Sequence, residues 1–123
     1  MKKILLTVPI LMTLWNIQPA KAQSSIEIYS GYNNQVIGII SHNRYDDLNI
    51  CNDYGSGGSS YSSSGIFSTA GINGSSSSAW GAYNSYTTTP PYLYFNGEKI
   101  YISSNSYLAS SIHPDSLKGR ICR

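Results

Sequence analysis

From Gly55 to Ser64, nine of ten residues are serine or glycine, the exception being Tyr61. Such a run carries neither an apolar stripe at helical spacing nor the alternation of a strand, and composition alone reads it as a flexible linker. Its surroundings point instead to coils held by a core. Shifted by sixteen residues, Ile50 falls on Ile66, Gly55 on Gly71, Gly58 on Gly74, and Ser59, Ser60 and Ser62 on Ser75, Ser76 and Ser78. Apolar pairs precede the small-residue runs at Ile50-Cys51, Ile66-Phe67 and Ala79-Trp80, as if each coil dips one anchor inward. A Ser/Gly/Tyr repeat region is therefore expected over 50–89, ended by the stiff pair Pro90-Pro91.

Both flanks read as β-hairpins. Ile26-Glu27-Ile28-Tyr29 alternates, Ser30 to Asn34 supplies turn residues, and Val36-Ile37-Gly38-Ile39-Ile40 resumes as a strand. Tyr92-Leu93-Tyr94-Phe95 and Lys99-Ile100-Tyr101-Ile102 flank Asn96-Gly97, a dipeptide that tolerates the positive φ of a type I′ turn. Each hairpin leaves through a similar segment, Ser41-His42-Asn43 and Ser103-Ser104-Asn105, which makes them candidates to pack together. Pro114 followed by Gly119 predicts one short helical turn near the C-terminus. The expected fold is mainly β: two hairpins flanking irregular Ser/Gly-rich repeat coils, with a short C-terminal helical turn.

The first residues have the order of a secretory leader. Lys2 and Lys3 are followed by a largely apolar Ile4 to Trp15 and by Ala20-Lys21-Ala22 at a peptidase site, so residues 1–22 are expected to be a signal peptide and 23–123 one small β-rich domain. The apolar run contains Thr7, Pro9 and Thr13, which leaves it short of the roughly 20 residues that span a bilayer. After cleavage no stable membrane insertion is expected, and the localisation is periplasmic or extracellular. Cleavage removes Lys2, Lys3 and Lys21 from eight basic residues and keeps all six acidic ones, a net charge of about minus one. Lys118, Arg120 and Arg123 alone fall short of a nucleic-acid footprint. Cys51 and Cys122, an even pair in an exported chain, are expected to form a disulfide, with free thiols or a bond to another chain as alternatives.

Ile50 to Gly55 with Gly58-Ser59-Ser60-Tyr61-Ser62, the Ala79-Trp80 segment and the Pro90-Pro91 exit resemble a family of small exported bacterial proteins with tandem Tyr-Gly-Ser repeats. The likeness covers about Val36 to Asn105. Ala70-Gly71-Ile72-Asn73-Gly74 departs from it, standing where the family has tyrosines. The resemblance implies architecture and no activity.

Chemistry-bearing residues are few. His42 near Asp46 and Asp47 could pair as a general base with a carboxylate orienter, which keeps a small secreted hydrolase of an envelope substrate as the alternative function, but no Gly-x-Ser-x-Gly nucleophile motif accompanies them and no catalytic residue is assigned. Asp46-Asp47 and Asn52-Asp53 lack calcium-loop spacing, and neither a metal nor a cofactor is expected. Asn73-Gly74-Ser75 is a formal glycosylation sequon, read here as a turn. Tyr54, Tyr61, Tyr83 and Tyr86 lie among small residues, where aromatic faces beside hydroxyls suit a cell-envelope glycan or protein. Leucine is reduced to Leu48, Leu93, Leu108 and Leu117 after residue 22, so more than half of the eleven tyrosines are expected in the core. The leading expectation is a non-catalytic binding or structural module of the envelope or surface.

Overall fold

A computed structural model describes residues 25–123; the leader expected over 1–22 lies outside the described residues. Both hairpins form where the alternation places them. Strands β1 (Ile26–Tyr29) and β2 (Val36–Ile40) are antiparallel, as are β3 (Tyr92–Phe95) and β4 (Glu98–Ile102). They join through β1 and β3 into one sheet of order β2-β1-β3-β4-β5, in which β5 (Ser111–Ile112) is a two-residue strand parallel to β4. Asn96 and Gly97 carry φ of 54° and 79°, the double positive φ of a type I′ turn.

The register sorts the faces. Ile28 lies opposite Leu93, which lies opposite Ile100, and this side of the sheet enters the core. Tyr29 lies opposite Tyr92 on the other side, their rings stacked with centroids 5.4 Å apart, and Lys99 Nζ sits 4.2 Å from the Tyr92 centroid. A cation over a phenol ring is a favourable contact.

Residues 43–90 run as three coils, 43–58, 59–74 and 75–90, made of consecutive tight turns. In the first, the carbonyls of Asn43, Asp46, Asn49, Asn52 and Gly55 each accept from the N–H three residues on. Ser59, Gly65 and Gly71 do so in the second, and Ser75, Ser78, Gly81 and Asn84 in the third. Side chains fasten the same turns: Asn43, Asp46, Asn49, Asn52, Ser59, Ser62, Ser75, Ser78, Asn84 and Thr87 each accept from the N–H two residues on. Asn, Asp and Ser can satisfy the backbone locally in this way, so a segment without ladder partners still leaves few buried donors open.

The coils pack closely because glycine stands where chain meets chain. A β-carbon on Gly55 would collide with the Asp47 carbonyl, and one on Gly71 with the Ser63 carbonyl. The first coil is tied to β2 by Ile39 N–H to Leu48 O (2.8 Å) and Ile50 N–H to Ile39 O (3.0 Å), and the third to the segment after β4 by Ser104 N–H to Ala82 O (2.8 Å). Ile50, Ile66 and Ala82, sixteen residues apart, are all buried and join Ile28, Ile37, Leu93 and Ile102 in one core. The third anchor is thus Ala82-Tyr83, not the expected Ala79-Trp80: Ala79 is exposed and Trp80 packs edge-on against Tyr32.

Helix α1 (Pro114–Ile121) is longer than the single turn expected. His113 caps it, its Nδ1 accepting from Asp115 N–H at 3.1 Å, with Pro114 in the first turn. Gly119 does not end it, because its φ is not positive and nothing crowds it; the helix closes at Cys122, whose N–H bonds Lys118 O at 2.9 Å.

Candidate binding surface

The tyrosines expected in the core are mostly outside it. Of the eleven, only Tyr92 is buried, while Tyr45, Tyr54, Tyr61, Tyr86 and Tyr107 are 91, 99, 95, 90 and 95% exposed. Isoleucine, leucine, Phe67 and Ala82 fill the interior instead, and a phenol there would need a partner for its hydroxyl. The five exposed rings share a local setting. Each stands two residues after an Asn or Ser whose side chain accepts the tyrosine N–H, at 2.9–3.0 Å: Asn43, Asn52, Ser59, Asn84 and Asn105. The turn pins the backbone that carries the ring.

Several of these rings divide one face into hollows. Tyr45 and Tyr54 line a hollow of about 640 Å³; Tyr54 and Tyr61 line a serine-rich notch of about 350 Å³; Tyr61 and Tyr83 line a groove of about 830 Å³. Each hollow shares a tyrosine with the next. Serines 59, 60, 75 and 76 and the ring of Phe67 lie in the groove, and α1 contributes Asp115 and Lys118 to it.

Three coil residues sixteen apart hold that helix. Cys51 forms a disulfide with Cys122, their Cα atoms 5.3 Å apart; the Phe67 ring lies 4.8 Å below Lys118 Nζ; and the Tyr83 hydroxyl donates to Asp115 Oδ1 at 2.6 Å. Lys118 also donates to Asp53 Oδ1 at 2.8 Å. Burial, then the bond to Asp115, pushes the Tyr83 phenol far above its ordinary range, so it stays a neutral donor.

Of the four tyrosines picked from the sequence, Tyr54, Tyr61 and Tyr83 therefore lie along one path. Tyr83 is half-buried with its hydroxyl engaged and serves as wall; Tyr86 lines none of these hollows. Tyr45, Asp53, Asp115 and Lys118 belong to the path and were missed. Asn43-Arg44-Tyr45 repeats the spacing of Asn52-Asp53-Tyr54, a signal that could have found Tyr45.

The carboxylates near His42 are engaged elsewhere. Asp46 accepts from Leu48 N–H at 3.1 Å, and Asp47 accepts from the Ser56 hydroxyl and N–H, bonds that hold its carboxyl below the usual range. Asn52 donates to the carbonyls of Tyr45 and Asp46. Among the described residues no three His, Cys, Asp or Glu side chains gather as a metal site. The sequon asparagine Asn73 is buried, accepting from Ser30 Oγ at 2.6 Å and donating to Ser64 O at 2.9 Å. The disulfide suits an oxidising compartment, and among the described residues no helix is long and apolar enough to cross a membrane. Comparison with protein-family models, with curated proteins and with solved structures finds no match to this chain.

Proposed function

We propose that this is an exported, non-catalytic module that binds at the bacterial cell envelope or surface, built from tandem sixteen-residue units of the Tyr-Gly-Ser kind. The observation that carries the reading is the row of nearly fully exposed Tyr45, Tyr54 and Tyr61 along one path, each on a side-chain-fastened turn. A large aromatic ring left in water contributes nothing to the fold, whereas covering one with a partner is worth about 2 kcal/mol. Because the turns already fix the backbone, little ordering opposes that gain. The Lys-Lys leader and the disulfide support export.

Two measurements test it. Expression with the leader in a bacterial host should give exported protein beginning at or within a few residues of Gln23; an intact Met1 in a membrane-embedded product would end the export reading. Purified protein should be retained by isolated cell envelopes, and the double variant Tyr54→Ala/Tyr61→Ala should lose retention without a change in melting temperature. Equal retention of the variant, or none by the wild type, would reject the binding role.

A further inference from the structure

We infer that the path from Tyr45 through Tyr54 and Tyr61 to Tyr83 seats a neutral polysaccharide chain. The inference rests on the envelope-binding reading above and names its ligand. Three hollows that share tyrosine ridges form a series of subsites, which a polymer can occupy residue by residue and a compact ligand cannot. Each has a volume within the range of about 300–1,000 Å³ usual for small-molecule sites.

The charges of the path are few and engaged within the protein. Lys118 is bound to Asp53 and lies over Phe67. Arg44 donates to the carbonyls of Arg123 and Cys122 at 3.2 and 3.3 Å. Asp115 accepts from Tyr83. A polyanion needs several cations that it can neutralise, whereas this face offers two, Lys118 already paired with Asp53 and Arg44 held by main-chain oxygens. What is left for a ligand is ring faces and small hydroxyls: Tyr54 and Tyr61 for stacking against the C–H face of a sugar, and Ser59 and Ser60 for its hydroxyl groups. A peptide adding as a strand would need an open sheet edge of some length, but the outer edge of β2 is bonded to the first coil through Leu48 and Ile50, and the opposite edge strand, β5, has two residues.

The test is retention of the purified full-length mature protein on a panel of cellulose, chitin, mannan and dextran, with heparin as the anionic control. At least one neutral glycan should retain the protein. Tyr61→Ala should weaken that retention about tenfold or more, the loss of one stacked ring. Tyr86→Ala and Tyr107→Ala, rings off the path, should leave it unchanged, and raising salt to about 0.5 M should change it less than about twofold, as screening acts only on charge. Melting temperatures equal to wild type would establish that Tyr61→Ala acts on binding. Failure of all four glycans, indifference to Tyr61→Ala, or preferential salt-sensitive binding to heparin would overturn the inference. If envelopes still retain the protein through Tyr61 while every neutral glycan fails, the glycan inference falls and the envelope role stands; if envelopes do not retain it, both fall.

Discussion

In the sheet, Ile28 lies between Gly38 on one neighbouring strand and Leu93 on the other, and ladder bonds and apolar cross-strand pairs do the holding. In the coils, Asn49 is equally buried but polar: its Nδ2 donates to Ser41 O and Asn43 O, and its Oδ1 accepts from Cys51 N–H. Ser68, Asn73, Ser75 and Thr87 are buried in the same region. One region excludes water from hydrocarbon; the other satisfies its backbone with its own side chains and leaves Tyr45, Tyr54, Tyr61 and Tyr86 outside. The contrast teaches that a Ser/Gly-rich segment can be ordered without a large core of its own, provided that its polar groups close on themselves and a few anchors reach a core built elsewhere.

The largest test of this contrast is the disulfide. Closing a loop across a separation of 71 residues contributes about 4 kcal/mol in the chain-entropy model, an upper figure because a compact unfolded chain reduces it. Cys51→Ser, or reduction, should lower the melting temperature sharply, and amide exchange should accelerate over 43–90 before it does in β1 and β3. Uniform acceleration would mean that the two regions open as one unit. Next is Asn49→Ala, which leaves buried partners unpaired and should cost about 3 kcal/mol, more than the roughly 1 kcal/mol of Ile28→Val in the sheet. Denaturant melts reversing that order would break the comparison. Gly97→Val should cost about 2 kcal/mol through φ alone, since nothing lies within 4 Å of the added carbon. An unchanged melt would argue against the I′ turn.

The smallest effect is a pH dependence at the seam between coil and helix. Tyr83 holds its proton more tightly in the folded state, so its contribution is complete below the ordinary phenol value of about 10 and is lost as pH rises above it. Tyr83→Phe should be less stable than wild type at neutral pH and should lose less stability between about pH 10 and 11. Parallel alkaline melts of the two proteins would show that Tyr83 and Asp115 do not couple the third coil to α1.

The hairpins were legible because Ile26 to Tyr29 and Tyr92 to Phe95 each combine a period of two with turn residues at a fixed distance. Ile50 and Ile66 were legible as buried anchors, but Ala82 was not, because it is small and Trp80 looks a better anchor than it is. Two-residue β5 has no period to read. The tyrosines fall elsewhere than expected because a Leu-poor composition demands core material in general terms, whereas isoleucine, Leu93, Leu117, Phe67 and Ala82 suffice to fill this interior. Asp53, Asp115 and Lys118 could not have been joined from sequence, because the fold brings them together across the length of the coils.

The buried Asn73 fixes a constraint on manufacture. Its side-chain nitrogen, the atom to which a eukaryotic secretory pathway attaches an oligosaccharide, is the one that donates to Ser64 O, and the folded chain offers it no access. Modification could therefore occur only on the nascent chain, and a chain so modified could not place Asn73 between Ser30 and Ser64 or bring the second coil against the hairpin. Material secreted from yeast or animal cells would then divide into an unglycosylated folded fraction and a glycosylated misfolded one, and the choice of host would decide the yield before any property of the finished protein came into play.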